Sequence, residues 1–377
     1  MATDLRTNCS KPRIVHDLIP VILECNDHWW ARDFQRLALV SSGWLGPIRR
    51  RLYRCPTLRT FRACSLFART VKENHHILSL IEGVNLSPVI PSGGGFAPTE
   101  SDMAGLRFIL SLKKLQTVVL GGELAVQADR FLQMMSNTRS ITSLHIDGSY
   151  IQQQNGFCCR VPASLEWGET LAYRFTKLRR LRLTGLELSV REPSMPYSIH
   201  LDDITLEDIV VMQGSLQHLC NESWDTVRRV SVVSRAADGA GDIVRELMEC
   251  CENLESVHYE DCGRRAQEAI FTPDLPMPRL RKVYLYDVDV NPGTLAGLSA
   301  ACQGIEDLAV LGRAIHVQPQ EWEHLLRSGA LPYLRGMHVS SGTNQPPSGY
   351  QPWAEEGRKM LEEACASRNI ALRFCPS

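Results

Sequence analysis

The chain has 377 residues, of which 44% are apolar and 22% charged, and its 41 basic and 42 acidic residues give a net charge of −1. This composition excludes a chain that is disordered throughout. The balanced charge gives no general attraction to nucleic acid or to an anionic membrane, so we expect neither as a partner. The length suits two or three compact domains or one extended repeat array.

Polar and charged residues run through the first twelve positions, without the apolar core of a secretory signal. The longest near-candidate for a membrane span, "DLIPVILEC", is far shorter than the ~18 to 20 apolar residues that a span needs. The thirteen cysteines include two adjacent pairs but no C-x-x-C element of the kind that holds structural zinc. We expect free thiols in a reducing compartment, cytoplasmic and/or nuclear, with no metal or other cofactor.

Three short amphipathic helices are predicted within residues 12–56, after a tail at residues 1–11. The first carries Ile14, Leu18, Val21 and Ile22, the second Phe34, Leu37, Ala38 and Val40, and the third Trp44, Ile48 and Leu52. Helices of this size can pack into one small bundle. Trp29 and Trp30 are expected in its core, with an exposed partner patch as the alternative.

An apolar pattern, L-x-x-L-x-L with substitutes, recurs along residues 57–377. Its ten copies begin at Ile81 (a weaker copy), Leu115, Ile141, Leu178, Leu201, Val227, Leu254, Leu280, Ile305 and Leu334. From Leu201 the copies step by 26, 27, 26, 25 and 29 residues, and the longer earlier steps place insertions near residues 87–101 and 149–173. A period in the twenties with these anchors is typical of leucine-rich repeats.

Each copy predicts a short strand whose last two anchors point into a core, while the residues between them point to an open face. Burying one anchor stabilises the fold by roughly 1.5–3 kcal/mol, but only when a neighbouring repeat covers it. Helices are predicted between the strands, in "DMAGLRFILSL", "DIVRELMECC" and "EWEHLLRSG", with a last helix and strand near the end. Many leucine-rich repeats carry Asn or Cys three positions past the final anchor, and here Cys262 alone matches. The fold class predicted is α/β: a solenoid of parallel strands alternating with helices, preceded by a small all-helical module.

The segment "LALVSSGWLGPIRRRLYR", residues 37–54, resembles the second half of fungal F-box domains. Their opening motif, L-P-x-E-L-x-x-x-I-L, aligns with residues 14–23, where Asp17 stands for Glu and Val15 replaces the proline. Pro20 falls inside the expected first helix, where it would kink the helix. The run after Leu52 is similar to the linker that leads from such an F-box into the first repeat.

The whole layout resembles that of fungal F-box and leucine-rich-repeat proteins, which are substrate receptors of cullin–RING ubiquitin ligases. The resemblance implies that a Skp-type adaptor binds the helical module and that the repeats hold an unidentified protein target. The adaptor-binding residues that it implies are Ile14, Leu18, Ile22, Leu37, Val40 and Trp44.

The open strand face is where the repeats are expected to bind a partner. The candidate residues are Arg180, Arg182, Arg229, His258, Lys282, Tyr284, Tyr286 and His338. The tyrosines beside Lys282 are typical of an interface hot spot. The three arginines predict a basic middle of the face that suits an acidic target; the alternative is that they are ordinary solvated charges.

Catalytic motifs are absent: the sequence contains no phosphate-binding loop, dinucleotide fingerprint, H-E-x-x-H or G-x-S-x-G. The glycine-rich "PSGGGFAPT" is expected to be an inserted loop. We therefore expect no enzyme. Two alternatives to the ligase subunit stay open: a protein-interaction scaffold with a degenerate F-box, and a GTPase-activating or inhibitory solenoid.

Overall fold

The computed structural model describes residues 17–25, 29–90, 98–154, 162–195, 199–220, 224–235, 240–261, 270–345 and 348–375. The helices are α1 Leu18–Glu24, α2 Ala31–Ala38, α3 Ser42–Arg54, α4 Phe61–Glu73, α5 Glu100–Leu110, α6 Ala128–Met134, α7 Ser149–Gln154, α8 Glu169–Ala172, α9 Ala240–Cys250, α10 Pro292–Ala301, α11 Pro319–Arg327 and α12 Glu355–Ser367. The strands are β1 Thr57–Leu58, β2 Gly83–Leu86, β3 Thr117–Gly121, β4 Ser143–Asp147, β5 Ser164–Trp167, β6 Arg180–Val190, β7 Asp203–Gln213, β8 Arg229–Ser234, β9 Ser256–Asp261, β10 Lys282–Tyr286, β11 Asp307–Leu311, β12 Gly336–Ser340, β13 Gly342–Gln345, β14 Gly349–Pro352 and β15 Ala371–Cys375. Short 3-10 turns occupy His75–Leu80, Gly122–Gln127, Thr138–Ser140, Leu216–His218 and Trp224–Thr226.

One parallel sheet of 13 strands runs the length of the repeats in the order β1-β2-β3-β4-β6-β7-β8-β9-β10-β11-β12-β15, with β5 beside β6. Neighbours in the sheet are consecutive strands along the chain except at two places, where β6 lies beside β4 and β15 lies beside β12. The strands β13 and β14 form a separate antiparallel hairpin. This architecture confirms the predicted α/β leucine-rich-repeat solenoid.

The strand register places equivalent anchors side by side in every repeat. Leu144 of β4, for example, faces Val118 of β3 on one side and Leu181 of β6 on the other. All thirty anchors, three in each of ten copies, are at most 4% exposed. Because each anchor is covered by its counterparts in the adjacent repeats, the core is one continuous cluster along the solenoid.

Helices cover the anchor side of the sheet where the sequence predicts them. The buried side chains of α5, Leu106, Ile109 and Leu110, join the anchor core. Thr99 caps α5 by accepting a hydrogen bond from the Asp102 N–H, so the helix begins where the first insertion ends. Residues 91–97 of that insertion, the expected loop, lie outside the described residues.

The second insertion is built into the sheet. Within it, β5 pairs with the second half of β6, and Trp167 is fully buried, its Nε1 donating to the Leu219 carbonyl at 3.1 Å. Residues 162–173 of the predicted insertion thus contain a strand and a short helix. Gly185, at φ +60°, lies between the anchor segment of β6 and the half that pairs with β5.

Two aspartates with left-handed backbone follow the anchor segments of β7 and β10, one position before the place where many leucine-rich repeats carry Asn or Cys. Asp208 and Asp287 both have φ near +50°, and each follows the outward residue at the end of its repeat's anchor segment. The Asp208 carboxylate accepts from the Arg235 N–H at 2.6 Å, and Asp287 accepts from the Arg313 N–H at 3.0 Å. In both cases the N–H donor lies three positions past the final anchor of the next repeat, so each carboxylate links two adjacent repeats.

The N-terminal helices α1, α2 and α3 pack around a small core of their own, made by Ile19, Leu23, Phe34, Trp44 and Ile48. This core is separate from that of the solenoid. An ion pair between Arg54 and Glu82, at 2.8 Å, joins α3 to the first repeat.

The expected kink at Pro20 is wrong. Since α1 begins at Leu18, the proline occupies its first turn, where a backbone N–H has no intrahelical acceptor to lose.

Substitutions at Asp287 test the carboxylate turn. We expect Asp287→Ala to lower the free energy of unfolding by about 1–3 kcal/mol, because it orphans the Arg313 N–H and leaves a β-carbon in the left-handed region. Asp287→Asn keeps the acceptor and should change stability by less than about 0.5 kcal/mol. Asp287→Gly should fall between the two. Urea unfolding of the three variants checks the order; an Asn variant as weak as the Ala variant would contradict it.

Candidate interaction surfaces

The N-terminal module carries an unusual density of exposed apolar side chains. Six of the twelve large hydrophobic residues that are exposed in the described part of the chain belong to it, although it contributes only residues 17–25 and 29–54. We call these six the N-terminal apolar patch: Leu18, Val21, Ile22, Trp30, Leu39 and Val40, which are 37–87% exposed. Exposed hydrophobic residues concentrated in this way mark interaction sites more often than residues scattered singly.

The helix α1 is apolar on both sides. Ile19 and Leu23, four residues apart, fill the module core. Leu18, Val21 and Ile22 have the i, i+3, i+4 spacing of a second face, and that face meets solvent. A helix that only closed a small bundle would need one apolar stripe, so the second stripe has no use inside the module.

The adaptor-binding residues implied by the resemblance fall into different environments. Leu18, Ile22 and Val40 lie in the apolar patch, whereas Leu37 is partly buried against the module core. Trp44 is part of that core, so it supports the surface and does not form it. Ile14 lies outside the described residues.

Trp30 is 69% exposed, so its expected core position is wrong, and Trp29 alone packs inward, 6.2 Å from the Phe34 ring. The candidate residues did not include Val21 and Leu39, whereas Trp30 matches the alternative of an exposed partner patch. For Val21 the available signal was α1 itself, whose apolar residues exceed one face.

On the solenoid, the charges of the open face are largely paired. Arg182 contacts Glu207 at 2.6 Å and Arg229 contacts Asp203 at 3.0 Å. Asp203 lies between Arg180 of β6 and Arg229 of β8 in the register. The predicted basic character of the middle of the face is therefore reduced but not abolished, because three arginines meet two carboxylates.

A cluster of ring side chains forms a second surface, on strands β9 and β10. Its members, His258, Tyr284 and Tyr286, are called the aromatic–histidine cluster below. The His258 ring lies 5.2 Å from that of Tyr286 and 6.4 Å from that of Tyr284. These rings lie close together because the strand register makes Tyr284 the direct neighbour of His258 in the sheet.

In this cluster the Tyr284 hydroxyl has a hydrogen-bond partner, whereas one ring nitrogen of His258 has none. The Tyr284 hydroxyl donates to Asp307 at 2.8 Å, and burial together with this carboxylate raises the pKa of Tyr284 to about 12. His258 Nδ1 lies 3.5 Å from the Ser231 hydroxyl, but its Nε2 is buried without a hydrogen-bond partner.

Five of the eight candidate residues of the open face are brought together around the cluster. Beside its three rings, Lys282 is exposed on the same strand as the tyrosines, and His338 Nε2 lies 3.9 Å from Asp307. Arg180, Arg182 and Arg229 lie apart, on β6 and β8. The cluster thus combines rigid aromatic rings, a cation and an unsatisfied imidazole, the composition of an interface anchor.

The described residues contain no group of three His, Cys, Asp or Glu side chains that could hold a metal ion. The nine described cysteines are free thiols, and burial raises the pKa of Cys64 and of Cys302 to about 12, so neither is a thiolate at neutral pH. Within the same residues, none of the helices has the length and apolar character needed to cross a membrane.

The open-face histidines predict an acid-sensitive stability. Burial lowers the pKa of His145 and of His258, and the Arg182 charge lowers that of His145 further. Between the unfolded value of about 6.5 and these lower folded values, the unfolded chain binds protons that the folded chain does not. The free energy of unfolding therefore falls as the pH drops through this window.

We expect His258→Gln to lose less stability than the parent chain when urea unfolding at about pH 7.5 is compared with about pH 5. The control is His76→Gln, at an exposed histidine outside the sheet, which should keep the parent's pH dependence. If His258→Gln loses as much stability between the two pH values as the parent chain does, then His258 binds protons equally in the folded and unfolded states, and the prediction is contradicted.

The solved structures that resemble this chain include an internalin from Listeria monocytogenes, with a TM-score of 0.32 and 9% sequence identity over 83% of this chain and 88% of that one. No family model matches the chain. No curated protein matches it either.

Proposed function

We propose that this chain is the substrate-recognition subunit of a cullin–RING ubiquitin ligase of the SCF type. In this proposal the N-terminal module binds a Skp-type adaptor, and the solenoid holds a protein target. The general part, a protein-interaction role, agrees with the leucine-rich-repeat fold, whose extended open face is a binding surface.

The observation that carries the proposal is the N-terminal apolar patch. A module of about forty residues that only capped the solenoid would cover its apolar side chains or replace them with polar ones. Here Leu39 and Trp30 are the two most exposed large hydrophobic residues in the described chain. The patch lies on the module that resembles an F-box, and a hydrophobic contact is what an adaptor would provide.

The aromatic–histidine cluster is the proposed anchor for the target. Its rings are held in place by the sheet and by Asp307, so little conformational entropy is lost on binding. The Lys282 ammonium is exposed and open to a partner's carbonyl or carboxylate. We expect a target segment with a large apolar side chain and an acceptor nearby, and no requirement for a strongly acidic segment, because Arg182 and Arg229 are already ion-paired.

The chain itself is proposed to catalyse nothing. Transfer of ubiquitin would occur on a separate enzyme, and this subunit would contribute proximity and orientation by holding target and ligase together. The proposed location is cytoplasmic and/or nuclear. A scaffold with a degenerate module is the second candidate, favoured by Val15 in the place of the F-box proline.

Co-expression with a Skp-type adaptor, followed by size-exclusion chromatography, tests the proposal. We expect the full chain to co-elute with the adaptor, and Leu18→Asp and Val40→Asp each to abolish co-elution, because each buries an unpaired charge in the interface. The matched control is Met212→Asp, an exposed apolar residue at 54% on β7 of the solenoid, which should leave the complex intact.

Separate elution of two folded proteins would reject the adaptor role and favour the scaffold. Co-elution that survives both module variants but fails in Met212→Asp would mean that the adaptor binds the solenoid. Circular dichroism of each variant confirms that the fold is retained, and both module positions are at least half exposed, so their substitution leaves the core unchanged.

A further inference from the structure

A cavity of about 450 Å³ opens between the first two repeats, away from both surfaces described above. It lies where α4 and α5 end, beside the 3-10 turn His75–Leu80 and the loop that leads into β3. Its volume falls within the range of roughly 300–1,000 Å³ that small-molecule sites occupy.

The inner wall of this cavity is apolar. Ile81 and Leu112 belong to the solenoid core, and Leu78 and Phe108 are partly buried side chains that pack on that core. The two serines that line it already use their hydroxyl protons: Ser79 donates to the His76 carbonyl and Ser111 to the Phe108 carbonyl. The wall therefore offers contact area and few hydrogen-bond donors.

The mouth of the cavity is basic. Lys72, Lys113 and Lys114 are all exposed there, together with His75, and none of the described residues that line the cavity is acidic. No described carboxylate forms an ion pair with any of the three lysines. The Lys72 ammonium lies 4.7 Å from the centroid of the Phe108 ring, a cation–π contact that holds one charge at the edge of the apolar wall.

An apolar pocket with an unpaired cationic mouth is complementary to an amphipathic anion. We propose that this cavity binds a small molecule with an apolar body and one anionic head, of which a medium-chain carboxylate is the simplest. The body would lie against Phe108, Leu78 and Leu112, and the carboxylate would contact the lysine ammonium groups. Neutral or cationic molecules of the same length would gain the apolar contact but lose the charge complementarity. This inference does not depend on the proposed ligase role.

Isothermal titration calorimetry of the full chain with decanoate tests the proposal. We expect saturable binding of one decanoate per chain, with an affinity that falls as salt is added. Decyltrimethylammonium, which has the same chain length and the opposite charge, should bind at least about tenfold more weakly. Hydrogen exchange should place the protected amides within residues 72–81 and 108–114.

Two variants separate the mouth from the wall. Lys113→Ala combined with Lys114→Ala should weaken decanoate about tenfold by removing two attractive charges. Ser79→Trp should abolish binding by filling the cavity while keeping the lysines. The matched control is Lys177→Ala: Lys177 precedes the first anchor of its own repeat, as Lys114 does, but does not line the cavity.

The proposal is overturned if decanoate does not saturate, if decyltrimethylammonium binds equally well, or if the lysine pair can be removed without effect. Protection confined to residues 17–54 would also overturn it, because the ligand would then be on the N-terminal apolar patch. The lysine substitutions are at exposed positions outside helices, and circular dichroism of the variants checks that the fold is retained.

Discussion

The in-register stacking of one parallel strand per repeat is the constraint on which the rest of this structure depends. It places each anchor beside the same anchor of the next repeat, so that Ile204 lies between Leu181 and Val230. Adding a repeat buries apolar surface on the repeat before it, and no single repeat is stable alone. The same register aligns the outward residues into rows, so the composition of the open face is decided strand by strand.

Of the two proposed protein-binding surfaces, one is built by this strand stacking and the other lies outside it. The aromatic–histidine cluster is held by the sheet: β9 and β10 fix its ring spacing, and Asp307 of β11 fixes Tyr284. The N-terminal apolar patch lies on a module with its own small core, outside the register. The module is joined to the first repeat by contacts that include the Arg54–Glu82 ion pair. The aromatic–histidine cluster is thus held by neighbouring strands of the sheet, whereas the N-terminal apolar patch is carried by three short helices. Two separate surfaces of this kind suit a chain that connects two different partners.

Much of the solenoid could be predicted from the sequence, because its signal repeats. The anchor spacing identified β2–β4 and β6–β12, and the apolar stripes of α5, α9 and α11 identified the helices between them.

The features that were missed depend on tertiary context. β5 has no repeat partner and is a strand because β6 continues past Gly185, and Asp287 acts as a turn residue only because the next repeat presents the Arg313 N–H. The ion pairs of the open face were not predicted because Asp203 and Glu207 are adjacent to arginines in space and not in sequence. In the module, periodicity marked α1 as apolar but could not say which of its two apolar sides faces inward.

Hydrogen exchange of the full chain with and without a Skp-type adaptor is the most direct test of the proposed function. We expect new protection confined to residues 17–25 and 29–54, with the strands β9 and β10 unchanged and still free for a target. Protection of the open strand face by the adaptor, or no protection in the N-terminal module, would contradict the proposal that the module binds the adaptor and the open face binds the target.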